Sequence, residues 1–236
     1  MVTEQIKDRI GRSMNEILIK GQPIKCHNNF RGVPITNPGK VCEIQADFVT
    51  LEVHPFQIAC IWEEKRAYLE DTALPCIVKA LPVSFSIENQ EVIVSRLEPA
   101  GPSFGKRMGL RVHPKDPIRV EINQDENQLT ATLADISTNG VGVFTFAALI
   151  EEEVTFRKDR PAVINIPLPT YPEVIHLTGV VSNVVKLRGN FVSRIGVRIQ
   201  PDPKIQTILD GYVQQRKLEI MEELQTYYNQ LQQKLI

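Results

Sequence analysis

The chain has 236 residues, 42% of them hydrophobic and 23% charged, with a formal net charge of −1. That length suits two modest domains, and the near-neutral balance argues against a nucleic-acid polymer as partner, although a small anion needs only a few placed cations. Apolar runs are broken by Glu, Lys or Pro well short of a membrane span, and the start MVTEQIKDRIGRS lacks the apolar core of a secretory signal, so the expected location is the cytoplasm.

Residues 3–20 are predicted as a helix, with Ile6, Ile10, Met14 and Ile17 on one stripe, Thr3 as cap and Gly21 as stop. From Pro23 to Leu97 the period becomes two. Val49, Leu51 and Val53 alternate with polar residues; Phe56, Ile58, Cys60 and Trp62 are predicted to share one strand face; Ile77, Leu81, Val83 and Phe85 make a further apolar set. Cys26, Cys42, Cys60 and Cys76 form no C-x-x-C pair and sit in or beside apolar runs, as buried thiols in a reducing compartment do. His27, His54, His113 and His176 are scattered, so no metal site is expected.

Residues 98–106, EPAGPSFGK, have no periodicity and read as a linker. A second set of strands begins at Pro117. Leu129, Ala131 and Leu133 alternate with threonines, Val141 and Val143 follow a predicted turn at Asn139-Gly140, and residues 161–168 form another strand. Ile175, Leu177, Val181 and Val185 are assigned to one face of a long strand. On the last strand, Phe191, Ile195, Val197 and Ile199 take one face and Arg194, Gly196 and Arg198 the other, where the two arginines read as ordinary exposed residues. Asp202-Pro203 then opens a helix in the favoured order of cap and first-turn proline. Beyond Arg216 it outruns one small barrel. Its stripe of Ile220, Leu224, Tyr227 and Leu231 fits either a coiled coil that makes a homo-oligomer or a helix folded back on the amino-terminal domain.

The two halves resemble each other at a period near ninety-five residues. PIKC at Pro23 matches PIRV at Pro117, VCEIQADFVTL from Val41 lies against LADISTNGVGV from Leu133, and LEP at Leu97 matches IQP at Ile199. The chain reads as two copies of one fold, although strand-rich segments can also agree by chance.

Two polar signatures stand out in the second half: RMGLR, with Arg107 and Arg111, and DISTNG, with Asp135, Ser137 and Gly140. Singly, the first is a solvated cationic loop and the second a good turn. An R-x-x-x-R before a first strand, followed one hairpin later by D-x-S-x-x-G, resembles the PilZ domain, the bacterial receptor for cyclic di-GMP. The resemblance covers roughly residues 104–215, and the connection EEEVTFRKDRP from Glu151 looks longer than is usual there.

The resemblance implies a mainly β fold: two small antiparallel PilZ-like barrels in tandem, with an amino-terminal helix and a long carboxy-terminal helix. The expected limits are 1–98 for an amino-terminal β domain, 99–112 for a linker carrying the arginines, 113–203 for the PilZ barrel and 204–236 for the last helix. It implies a cyclic di-GMP site at Lys106, Arg107, Arg111, Asp135, Ser137 and Gly140, no other cofactor, and an output through a protein partner. Arginine suits this ligand because its fork bonds phosphate or the O6/N7 edge of guanine bidentately. In the first half Glu43, Gln45 and Phe48 replace Asp135, Ser137 and Gly140, as in the non-binding amino-terminal domains of flagellar-brake proteins. The competing reading is a structural or partner-binding PilZ-like module without nucleotide. No nucleophile–base pair or phosphate loop supports an enzyme.

Overall fold

The computed structural model describes residues 18–101, 109–146, 156–187 and 192–235. The predicted amino-terminal helix lies outside them save for residues 18–20, which run as coil into a turn. The chain divides into two units, one of residues 1–107 with 220–236 and one of residues 108–219.

In the first unit the order is β1 (Pro23–Phe30), β2 (Val33–Ile44), β3 (Phe48–Val53), α1 (Pro55–Glu64), β4 (Ala67–Glu70), β5 (Val78–Ser86) and β6 (Glu91–Pro99). The strands close into a barrel in the order β1-β2-β3-β6-β5-β4. Closure leaves no free sheet edge, and the inward rows, such as Ile24, Cys26, Val49, Leu51, Val92 and Val94, make the core.

Residues 55–64 correct the sequence reading, which put Phe56, Ile58, Cys60 and Trp62 on a strand. The segment is helical because His54 caps it, its Nδ1 accepting from the Phe56 amide at 3.2 Å, and Pro55 occupies the first turn. Lys65 ends it in the left-handed conformation. The helix buries Ile58, Ala59, Cys60 and Ile61 together with Gln57, whose amide donates to Asn28 Oδ1 at 2.6 Å. Of the four thiols, Cys26 and Cys60 are buried while Cys42 and Cys76 are half-buried, and burial pushes the Cys26 thiol up to about 12.

The second unit holds β7 (Arg119–Gln124), β8 (Asn127–Ser137), β9 (Gly140–Phe146), β10 (Pro161–Ile166), β11 (Ile175–Leu187) and β12 (Val192–Ile199). Taken from β7, its closed order is β7-β8-β9-β12-β11-β10, the same circuit as the first barrel. A bulge interrupts β2–β3 between Val41 and Glu43, and another interrupts β8–β9 between Leu133 and Asp135. The alignment of the two halves equates these positions. At the last strand the match of LEP with IQP requires one extra residue, and Arg96, with a positive φ of 52°, stands at a register shift there. Shared topology and a shared bulge carry the duplication where similarity of apolar pattern could not.

Helix α2 (Pro203–Leu235) closes the chain. Asp202 caps it, Oδ1 accepting from the Ile205 amide at 2.9 Å. Its early residues Leu209, Tyr212 and Val213 are buried in the second unit, and Ile220, Leu224, Tyr228 and Leu231 are buried in the first. Tyr227 is half-buried and stacks on Phe30 with ring centres 5.9 Å apart, while Arg31 pairs with Glu223. The apolar stripe beyond Arg216 is therefore covered within its own chain. On β11, Val185 departs from its assigned face: a register shift between Val181 and Asn183 precedes it and it is exposed.

Candidate functional site

The site is built where β8 meets the segment before β7. Val112 and Ile136 exchange backbone hydrogen bonds of 2.9 and 3.0 Å, an isolated antiparallel bridge that pins residues 111–113 beside Asp135. Arg111 is thereby delivered to the barrel surface from a segment outside the barrel strands. Its Nη1 donates to Asp135 Oδ1 at 3.2 Å.

Asp135 is almost wholly buried, at 4% exposure, yet both its oxygens are engaged. The second, Oδ2, accepts from Arg194 Nη2, across from β12. Two guanidiniums on one carboxylate offset its charge, which makes burial of the aspartate tolerable. The arginines themselves stay open: the Arg111 side chain is 35% exposed and that of Arg194 25%. The pair presents two cationic forks with a common buried anchor.

Ser137 and Gly140 form the first pair of the β8–β9 hairpin, so its two-residue turn is Thr138-Asn139 rather than the expected Asn139-Gly140. Ser137 Oγ donates to the Gly140 carbonyl at 3.0 Å and braces that turn. Thr138 Oγ1 donates to Asp210 on α2, and the Asn139 carbonyl accepts from the Ile199 amide at 3.1 Å. A Cβ on Gly140 would come within 3.2 Å of the Val197 carbonyl oxygen and 3.8 Å of Arg111 Nη2. A concavity of about 280 Å³ lies alongside, bordered by Gly109, Leu110, the turn and Gln206 and Asp210 of α2.

Of the expected site residues, then, Arg111, Asp135, Ser137 and Gly140 are brought together, and Lys106 and Arg107 lie outside the described residues. Two positions were missed. Arg194 was read as an ordinary exposed residue and instead pairs with Asp135; Arg198 is exposed as expected. Gly142 provides the space: a Cβ there would sit 2.8 Å from Asp135 Oδ2 and 2.9 Å from Arg194 Nη2. Opposite Gly142 in the ladder is Gly196, over which the Asn183 side chain lies closely enough to exclude a Cβ. The sequence signal available was the glycine pair itself, each interrupting an apolar strand.

The first barrel carries different residues at the equivalent positions. Register places Glu43, Thr50, Ile93 and Glu91 where the second barrel has Asp135, Gly142, Gly196 and Arg194. The glycine floor is filled, and an acid stands where the arginine would be.

A family model described as PilZ domain matches residues 106–215. An uncharacterized protein of Aquifex aeolicus (strain VF5) is 28% identical over 120 residues, and the chain spans 53% of that relative's length with 50% of its own. Among solved structures, MrkH of K. pneumonia in complex with c-di-GMP is similar at a TM-score of 0.45 and 14% identity, over 94% of this chain and 95% of that one. YcgR of Escherichia coli in complex with c-di-GMP is similar at a TM-score of 0.44 and 12% identity, over 94% and 93%. The Bacillus subtilis inhibitor of motility MotI/DgrA is similar at 0.43 and 12%, over 86% and 99%.

Proposed function

We propose, from the match of residues 106–215 to the PilZ domain model, that the chain is a non-enzymatic receptor for cyclic di-GMP. The observation that carries this reading is the convergence of two half-open arginines, Arg111 and Arg194, on the buried Asp135 beside the D-x-S-x-x-G hairpin. Such an arrangement suits a small dianion with guanine edges. The forks bond phosphate or the acceptor edge of the base, and a carboxylate so placed accepts from guanine N1–H and N2–H once ligand competes for the pair. Ser137 and Gly140 keep the hairpin narrow beneath it. Arg107 and Lys106 join the site through the motif alone.

Calorimetry with cyclic di-GMP, and with GTP as control, tests the reading. Binding in the micromolar range or tighter is expected, about −8 kcal/mol or better. Arg111→Ala should remove charge-assisted contacts worth roughly 1.5–3 kcal/mol. No heat and no thermal shift in the wild type would end the receptor reading.

The output is proposed to be a ligand-driven change in the arrangement of the two units, read by a protein partner. Binding adds ligand contacts to the segment that the Val112–Ile136 bridge already holds, so amides at residues 109–111 should gain protection from hydrogen exchange on adding cyclic di-GMP. Small-angle scattering should change with it. Unchanged exchange and unchanged scattering at saturating ligand would send the signal by another route.

A further inference from the structure

We infer that Arg194 is a base-reading residue of this site: its guanidinium takes the O6/N7 edge of one guanine, whose face rests on the apolar strip beside it. The inference rests on the receptor reading above and deepens it.

The tether to Asp135 uses one Nη of Arg194, which leaves the other edge of the guanidinium to a ligand. What surrounds that edge decides which ligand group it meets. In the ladder Arg194 stands between Phe144 on β9 and Val185 on β11, and the next rung is Phe146, Val192 and Leu187. Directly opposed residues in a sheet share a face, so these are the side chains around Arg194 on the outside of the barrel. Phe146 is 53% exposed and Val185 44%.

A phosphate set among apolar side chains would exchange its hydration for Arg194 alone, whereas a purine offers a flat face for the strip and an acceptor edge for the arginine. The Gly142–Gly196 floor lies on the opposite side of Arg194 from Phe146, and the side chains that stand over it, Asp135 and Asn183, are polar. Arg111, beside the polar turn, is the better placed cation for the phosphates. The two arginines thus divide the ligand, with Asp135 between them.

The chemistry separates guanine from adenine. Adenine keeps N7 but carries a donor amine where guanine has O6, so a bidentate arginine contact is lost. The test is therefore calorimetric titration of the full chain and three variants with cyclic di-GMP and with cyclic di-AMP. Arg194→Gln keeps a donor for Asp135 but not the fork. It should weaken cyclic di-GMP by about 10- to 100-fold and cyclic di-AMP by less than about threefold. Phe146→Ala, which removes stacking area from an exposed position, should weaken cyclic di-GMP about tenfold with an unchanged melting temperature. Arg198→Ala, on the same strand face, should change neither ligand.

Three results would overturn the inference while leaving the receptor reading intact. Arg194→Gln could bind cyclic di-GMP within about threefold of wild type; it could lose both nucleotides equally, which would make Arg194 a prop for Asp135; or Phe146→Ala could bind cyclic di-GMP as wild type does. Wild-type protein that binds no cyclic di-GMP would remove both readings together.

Discussion

At Gly142 a single methyl group would reach the carboxylate that holds the site together, 2.8 Å from Asp135 Oδ2. The nearest atoms all belong to the side chains of Asp135 and Arg194, so relief requires one of them to move. Gly142→Ala should therefore weaken cyclic di-GMP by about 1.5–3 kcal/mol, the worth of a charge-assisted contact, and destabilise the barrel by about 1–3 kcal/mol. Gly101→Ala is its control, since a Cβ there meets nothing within 4 Å. Titration and urea unfolding of the two variants check both statements; equal binding by Gly142→Ala would show that the pair tolerates the shift. Legibility follows the same division. Asp135, Ser137 and Gly140 lie within one hairpin, so their spacing survives in the sequence as a motif. Arg194 is 59 residues away from Asp135 and reaches it diagonally across β9. That contact depends on closure of the barrel and on which rung the bulge at Ala134 displaces, and neither is written in local spacing.

Among the elements, α1 misled the reading because residues 56, 58, 60 and 62 alternate as a strand would, while five consecutive residues, 57–61, are buried. A short helix sunk into a barrel flank has no polar stripe for periodicity to find. The better signal is His54-Pro55, the same order of cap and first-turn proline that opens α2 at Asp202-Pro203. The helix is fixed by a polar cluster. Asn28 accepts from Gln57 at 2.6 Å, donates to the Arg66 carbonyl at 2.8 Å, and also donates to Glu64. Asn28→Ala should remove these three bonds and cost about 1–3 kcal/mol in urea unfolding. Burial raises the Glu64 carboxyl above its ordinary range, against the opposing pull of the Asn28 hydrogen bond. A raised value means the folded state holds the proton more tightly. The group's contribution is thus greatest at low pH and declines as pH climbs from the ordinary carboxylate value through the raised one. Glu64→Gln should lose that decline and gain stability on the wild type near neutral pH. If the stability difference between the two proteins were flat with pH, the burial of that charge would carry no cost.

For the whole molecule, the tandem barrels and the long last helix were legible because each strand declares its period and the two halves repeat; which partner covers the helix was not, because a four-three-four stripe is the same whether it meets another chain or its own. Ile220, Leu224, Tyr228 and Leu231 are buried against the first unit's own residues. Leu224→Ala should therefore cost the cavity penalty of a core leucine, about 2–5 kcal/mol, and light scattering of the wild type should give the mass of one chain. A dimer mass that dissociates on this substitution would assign the stripe to a second copy instead. The division of α2 also makes the first unit discontinuous: it is formed by residues near the amino end and by the last turns of the chain, with the second unit inserted between them. Ribosomal synthesis runs from amino to carboxyl, so the first barrel emerges before the second unit and stands without its helix until residues 220–235 have been made. The inserted second unit, complete by Glu219, has all its residues before its neighbour does. The barrel that begins first is finished last, and in the interval the place of Leu224 and Leu231 on its surface is open to chaperones and to other nascent chains.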